Sequence, residues 1–317
     1  MTSYLNCPYE DFPRSGAHAR GMRVLDRGFA ALAAAGPHAT DGLPLAPGTT
    51  LHRAVPYREA SGRTLHLHVI VPDGASADAP APLVVYVQGS AFHEQNVDGA
   101  IGRLSSFAAR GFVVAIVQYR PSEVAPFPAQ AADARWAIQF MVEHADDYGA
   151  DPGRIVAWGD SSGGHTALMA AFAQGDPVLA EPGLAEHPVA ALVDFFAPVA
   201  FYEMNLEPSA CDHASPDCPE GMELGGVEVT PEASAAADLR RYVAGCPAPV
   251  LVCHGDKDRL VPFAQSCLLT EALLDAGKEV ELWQLRDADH GGGPFWTEGT
   301  LDLVEDFVRR SLARARA

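Results

Sequence analysis

Three short segments carry side chains that could share one reaction. Gly159-Asp160-Ser161-Ser162-Gly163 sets a serine hydroxyl between two glycines. Downstream, His254-Gly255-Asp256-Lys257-Asp258 offers two carboxylates, and Asp289-His290-Gly291-Gly292-Gly293 offers an imidazole. A serine hydroxyl attacks a carbonyl only if something removes its proton as the bond forms. Neutral imidazole, with an ordinary pKa of about 6.5, does this near pH 7, and a carboxylate holds the ring in the required tautomer. Ser161, His290 and Asp258 are therefore expected as nucleophile, base and orienting acid of an acyl transfer. Ser162 has the wrong register relative to the flanking glycines. Asp256 competes with Asp258, but it stands beside the end of a strand pattern and suits a local turn bond. Asp289 reads as a loop-fixing neighbour of His290.

The elements around these segments must place them together. Leu83–Val87, Phe112–Val117, Arg154–Trp158, Val189–Phe196, Pro249–Cys253 and Val280–Leu285 are short apolar runs. Such runs mark strands buried on both faces. They alternate with helical patterns at about 99–110, 128–147, 162–174, 263–276 and 297–314. Residues 51–58 and 63–72 read as two strands joined by a turn at Ser61-Gly62, which suggests an antiparallel start. Residues 18–35 read as an Ala-rich helix ending at Gly36-Pro37. The expectation is an α/β fold with a mostly parallel central sheet and helices on both faces. Residues 1–50 are taken as a helical extension and 51–317 as the catalytic domain. Residues 200–246, with four prolines and two close cysteines, break the rhythm and read as a cap-like insertion over the ligand-carrying edge.

Each chemical segment then falls at the end of a strand. A Gly-x-Ser-x-Gly between a strand and a helix is the nucleophile elbow of an α/β-hydrolase, and the order Ser, Asp, His is the order of that fold. The Gly-Asp-Ser-Gly-Gly of trypsin-like proteases belongs to an all-β fold with the nucleophile last, so it does not apply. The loop Gln88-Gly89-Ser90-Ala91-Phe92 after an early strand, together with the N–H of Ser162, is expected to hold the oxyanion.

Several further stretches agree with one family: Tyr119-Arg120 with Pro126-Phe127-Pro128-Ala129-Gln130; Tyr148–Ile155; Ser215-Pro216-Asp217-Cys218-Pro219-Glu220 with Leu224-Gly225-Gly226; and His254–Pro262. From about residue 60 to 310 the chain resembles the esterases related to hormone-sensitive lipase. It is most similar to their carboxylesterase branch, which includes bifunctional acetylxylan and feruloyl esterases. The resemblance implies cleavage of short-chain acyl esters through an acyl-enzyme on Ser161, with Asp258 and His290 as partners. It also implies Ser90 and Ala91 as oxyanion donors. The family usually has His-Gly-Gly where this chain has Gln88-Gly89-Ser90. If that glycine needs a positive φ, Ser90 is strained, and Gln88 would donate a hydrogen bond that histidine makes differently. Gln88, Phe92 and Trp296 are taken as substrate-binding candidates. His165, after the elbow, is expected to pack beneath it.

Composition narrows the remaining classes. The 317 residues are 48% hydrophobic, enough for a sizeable core. Lys and Arg total 22 against 41 Asp and Glu, a net charge of −19, which disfavours nucleic acid and anionic lipid as partners. Six cysteines show no zinc spacing, and His93-Glu94 lacks the second histidine of a zinc-protease motif. His66 and His68 read as a solvated strand edge. No metal and no cofactor is expected. The partner is a small-molecule ester, without a membrane, and homo-oligomerisation stays open. Neither a signal peptide nor a membrane span is visible, so the cytoplasm is the default location. Two other readings are carried: amide cleavage by an arylformamidase or small peptidase of the same fold, and a non-catalytic ligand receptor built on it.

Overall fold

The computed structural model describes residues 30–33 and 43–315. Its nine described strands are β1 (Ala30–Ala33), β2 (Thr49–Ala60), β3 (Arg63–Pro72), β4 (Ala81–Val87), β5 (Val113–Val117), β6 (Ala150–Asp160), β7 (Ala191–Phe195), β8 (Val250–Gly255) and β9 (Val280–Arg286). The α-helices are α1 (Ile101–Ala108), α2 (Ala129–Glu143), α3 (Ser162–Phe172), α4 (Phe201–Met204), α5 (Pro219–Glu223), α6 (Ala264–Asp275) and α7 (Glu298–Arg314). All nine strands form one sheet in the order β1-β9-β8-β7-β6-β4-β5-β3-β2. β3 runs antiparallel to β2 and β5, and the remaining pairs are parallel. This is the α/β-hydrolase arrangement.

Successive strand residues point to opposite faces, and both faces are covered. Leu83, Val85 and Val87 of β4 pack with Met141 of α2, Met169 of α3 and Leu269 of α6. Val84 and Tyr86 of the same strand pack on the other side with Leu104 of α1 and Val304 and Val308 of α7. That is why β4 reads as an unbroken apolar run rather than an alternating one. Helix α7 buries Leu301, Val304, Val308 and Leu312, three or four residues apart, the stripe of a surface helix. Its start is fixed by Thr297, whose hydroxyl accepts from the Thr300 N–H at 3.2 Å.

Two expectations fail here. The Ala-rich segment read as a helix over 18–35 contains β1, which pairs in parallel with β9 from Ala30↔Trp283 to Ala33↔Arg286. Helix propensity is a weak prior, and an open sheet edge overrides it. Residues 18–29 and 34–35 lie outside the described residues. His68 is not a solvated edge residue either. It is buried, and its Nδ1 accepts from the Ala54 N–H at 3.0 Å, where β2 shifts register between His52 and Val55.

Residues 200–246 hold α4, α5 and several single-turn helices. Phe201, Cys218, Val229 and Ala237 from this segment bury Phe92 of the loop after β4. Cys211 and Cys218 are free thiols.

Candidate active site

The turn between β6 and α3 is the tightest point of the site. Ser161 sits at φ 51° and ψ −130°, a conformation that a residue with a Cβ adopts only under constraint. The constraint is packing. A Cβ on Gly159 would lie 2.2 Å from the Gly163 carbonyl oxygen, and one on Gly163 would lie 2.1 Å from the Val87 oxygen. Two glycines therefore let β6, α3 and β4 close on the turn, and the Ser161 N–H donates to the Phe195 oxygen at 2.8 Å to hold it. The hydroxyl is left facing a pocket.

Loops after β8 and β9 bring the other two groups to it. Ser161 Oγ lies 3.0 Å from His290 Nε2, and His290 Nδ1 lies 2.7 Å from Asp258 Oδ2. The Asp258 carboxylate is buried, and its Oδ1 accepts the N–H groups of Leu260 and Val261 at 2.9 and 2.8 Å. Asp256 is turned away. It accepts from the Asp287 N–H at 2.7 Å and from Gln284 Nε2 at 3.0 Å, tying the two loops together. Asp289 accepts from the N–H groups of Arg259 and His290 at 3.0 and 2.8 Å, a second tie between the same loops.

Electrostatics couple the pair. Burial acts to lower the His290 pKa, but the facing Asp258 carboxylate outweighs it and holds the imidazole above its ordinary value. Burial acts to raise Asp258, but the charge of His290 and the hydrogen bonds from His254 and His290 outweigh that. They hold the carboxyl well below the usual carboxylate range. Behind the elbow, burial pushes the Asp194 carboxyl up to about 8.

The loop after β4, expected to hold the oxyanion, has its backbone N–H groups arranged as follows. The Ser90 N–H is already engaged, donating to Ser162 Oγ at 2.9 Å. Among the described residues no acceptor meets the backbone N–H of Ala91 or of Ser162. The positive φ falls at Ala91 (55°) and Phe92 (62°) rather than at Ser90. Tyr119 steadies the loop, its hydroxyl 2.8 Å from Ser90 Oγ and 3.3 Å from Ser162 Oγ.

A cavity of about 310 Å³ opens over Ser161 and His290. Phe92, Phe196, Pro198 and Val261 supply apolar lining, and residues 200–246 supply a wall with Cys211, His213 and Glu220. Gln88 and Trp296 do not line it. Gln88 keeps its side-chain oxygen buried without a partner. Trp296 stacks on Trp158 with ring centres 5.5 Å apart and lies under the Arg103 guanidinium. It is half-buried and packs against the core on the α1/α7 face, because the chain turns into a short helix directly after the His290 loop and carries the indole there. His165 is buried below Phe92 and bonds the Ala237 oxygen at 2.8 Å. Among the described residues no group of three or more His, Cys, Asp or Glu side chains is placed to hold a metal ion. No described helix is long and apolar enough to cross a membrane.

The BD-FAE family pattern matches residues 67–273, well over half of the chain, from within β3 to within α6. The chain belongs to the BD-FAE family. Among curated proteins similar to this BD-FAE member, Esterase LipQ of Mycobacterium tuberculosis is 30% identical over 217 residues. That covers 66% of this chain and 50% of LipQ. Isoprenylcysteine alpha-carbonyl methylesterase ICME of Arabidopsis thaliana is 26% identical over 247 residues, 73% of this chain and 54% of ICME. The chain spans about half the length of the curated relatives it matches. Among solved structures, propionate-bound esterase 2 of Thermogutta terrifontis superposes with a TM-score of 0.66 at 25% identity, covering 83% of this chain and 94% of that one.

Three contacts of this BD-FAE site are not given by the short motifs. His254 lies behind Asp258, Tyr119 braces the loop after β4, and His213 pairs with Glu220 at 3.0 Å in the pocket wall. Tyr119, Glu220 and His254 stood in the stretches that carry the family resemblance, but their partners did not follow from the sequence, and His213 had no signal.

Proposed function

We propose that this chain is a serine-dependent carboxylic ester hydrolase acting on short-chain acyl esters. One observation carries the reading: an unbroken hydrogen-bonded line from Ser161 through His290 to a buried Asp258, opening on a small, mainly apolar cavity. The esterase names of its relatives support it, as does the propionate held by the Thermogutta terrifontis enzyme.

Asp258 accepts only, so His290 Nδ1 carries a proton and Nε2 is free to accept one. Ser161 Oγ attacks the ester carbonyl carbon while His290 Nε2 takes its proton. The carbonyl π electrons move to oxygen, and the N–H groups of Ala91 and Ser162 donate to that oxyanion, aided by the N-terminal dipole of α3. Collapse breaks the bond to the leaving oxygen, which takes the proton from His290 and departs as the alcohol. The acyl group stays on Ser161. Water then gives a proton to His290 and attacks, the ester to Ser161 breaks, and the acid leaves as Ser161 regains its proton. Residues 200–246 act as a cap whose wall limits the acyl and alcohol groups to what the cavity holds.

The test is Ser161→Ala. Hydrolysis of p-nitrophenyl acetate falls by at least about three orders of magnitude, and a fluorophosphonate probe labels the wild-type protein at Ser161 and not the variant. Full activity in the variant overturns the reading. In a chain-length series, acetyl and propionyl esters turn over faster than octanoyl esters; the reverse order overturns the short-chain assignment.

A further inference from the structure

Asp258 is shared by two histidines. Its Oδ2 lies 2.7 Å from His290 Nδ1 and 3.1 Å from His254 Nε2. We propose that His254 is a positioning residue: a buried second donor that fixes the orientation of Asp258 and tempers the hold of that carboxylate on the base. The inference rests on the triad proposed above.

The surroundings of His254 determine its proton. It stands near the end of β8 with its side chain fully buried. Nε2 also lies 2.9 Å from the Val261 carbonyl oxygen, which only accepts, so Nε2 carries a hydrogen. Nδ1 lies 2.7 Å from the hydroxyl of Ser266 on α6, itself buried. With Ser266 donating to Nδ1, the ring meets all its hydrogen-bonding capacity: one N–H shared by Asp258 and Val261, and one lone pair filled. Phe263 closes on the ring edge-to-face at 5.5 Å, and Phe196 stands between the two histidines, 6.3 Å from His254 and 4.6 Å from His290. The ring has no room to swing.

This arrangement divides the charge of Asp258. Oδ1 is occupied by two backbone N–H groups and Oδ2 by two imidazoles. A carboxylate oxygen that accepts a second donor binds the first one less strongly. His254 therefore does two things. It prevents rotation of the carboxylate, because Oδ2 is held from the core side as well as from the pocket side. It also withdraws part of the negative charge that otherwise keeps His290 protonated. Other charged or titratable groups facing this pair include Asp160 at the end of β6, Asp289 beside His290 with Arg259 paired to it, and Cys211, His213 and Glu220 from residues 200–246. None of them bonds Oδ2.

Two variants separate positioning from packing. His254→Gln keeps an N–H donor near the Nε2 position, and His254→Met fills similar space without one. With p-nitrophenyl acetate, His254→Met loses kcat on the order of tenfold with KM unchanged. The acid limb of its kcat/KM profile moves to higher pH, because Asp258 then holds His290 protonated more strongly. His254→Gln recovers most of the rate and returns the limb toward the wild-type position. The inference is overturned if His254→Met keeps the wild-type kcat and limb. It is equally overturned if both variants lose rate alike with an unmoved limb, which is the mark of a packing residue. Should His254→Met fail to fold, Ser266→Ala loosens the ring while retaining the donor, and a smaller upward move of the limb is expected; an unmoved limb overturns the inference. An NMR titration of the His290 ring reads the same shift without any turnover. A chain inactive toward all esters therefore sinks the proposed function while leaving this test in force.

Discussion

At the scale of single residues, the site depends on one raised pKa and one lowered pKa facing each other. Asp258 holds His290 above its ordinary value of 6.5. In the proposed reaction the base works only when neutral, so activity is expected to be lost as pH falls through the raised value. The acid limb of kcat/KM for p-nitrophenyl acetate is expected to have its midpoint above 6.5, and Asp258→Asn moves it down while cutting kcat by about three to four orders of magnitude. A wild-type limb centred below 6 would contradict the coupling. The same scale explains the oxyanion loop. Ser90 looked like a donor by position, but its N–H bonds Ser162 Oγ, and among the described residues no acceptor meets the N–H groups of Ala91 and Ser162, the donors proposed for the oxyanion. Sequence position names the loop; only the backbone conformation decides which N–H of that loop is free.

At the scale of elements, the loops matter because buried polar anchors hold them. Arg120, just past β5, donates from Nε and its backbone N–H to Asp133 Oδ2, both at 2.9 Å, and from Nη2 to Oδ1 at 3.0 Å. Asp133 is on α2 and fully buried, and Arg58 of β2 reaches the same carboxylate. This knot joins β2, the β5 exit and α2 directly beside Tyr119, which braces the oxyanion loop. Asp133→Ala takes from Arg120 its buried carboxylate and leaves Arg58 with Glu181 alone, so a loss of about 3–5 kcal/mol is expected from chemical denaturation. A change below about 1 kcal/mol would show that the knot is not structural. Residues 200–246 dock in a similar way: Ala210 N–H donates to the Arg259 oxygen at 2.7 Å, and His213 Nε2 lies 3.0 Å from the Leu260 oxygen. The pocket wall is thereby tied to the loop that carries Asp258.

At the scale of the whole molecule, two apolar layers, one on each face of the sheet, pack against β2 to β9 and hold the strand ends that carry the site. The site sits at the end of that sheet where β6, β8 and β9 deliver Ser161, Asp258 and His290. The whole chain carries a net charge of −19, which raises the local concentration of cations and lowers that of anions. A cationic short-chain ester is expected to gain kcat/KM as salt is lowered, and an anionic ester of the same size to lose it. The two should converge as the Debye length shrinks to a few ångströms near 1 M salt. Equal salt response for both esters would mean that the charge lies too far from the pocket to act.

The sequence by itself determined the alternation of strands and helices, the elbow around Ser161, and the two loops that hold Asp258 and His290. Those features are local: apolar runs, glycines that permit close approach, and polar residues at strand ends. Tertiary structure decided what depends on partners far apart in the chain. Ser161 and His290 are 129 positions apart and meet only because β6 and β9 share one sheet. The Ala-rich segment containing residues 30–33 became a strand because an open edge at β9 was available to it. Trp296 packs half-buried against the core rather than in the pocket because Trp158 and Arg103 bracket it there. His254 acquired a role because folding places its N–H on the oxygen that His290 also uses. Propensity and motif act over a few residues, whereas burial and hydrogen-bond satisfaction are settled across the whole fold.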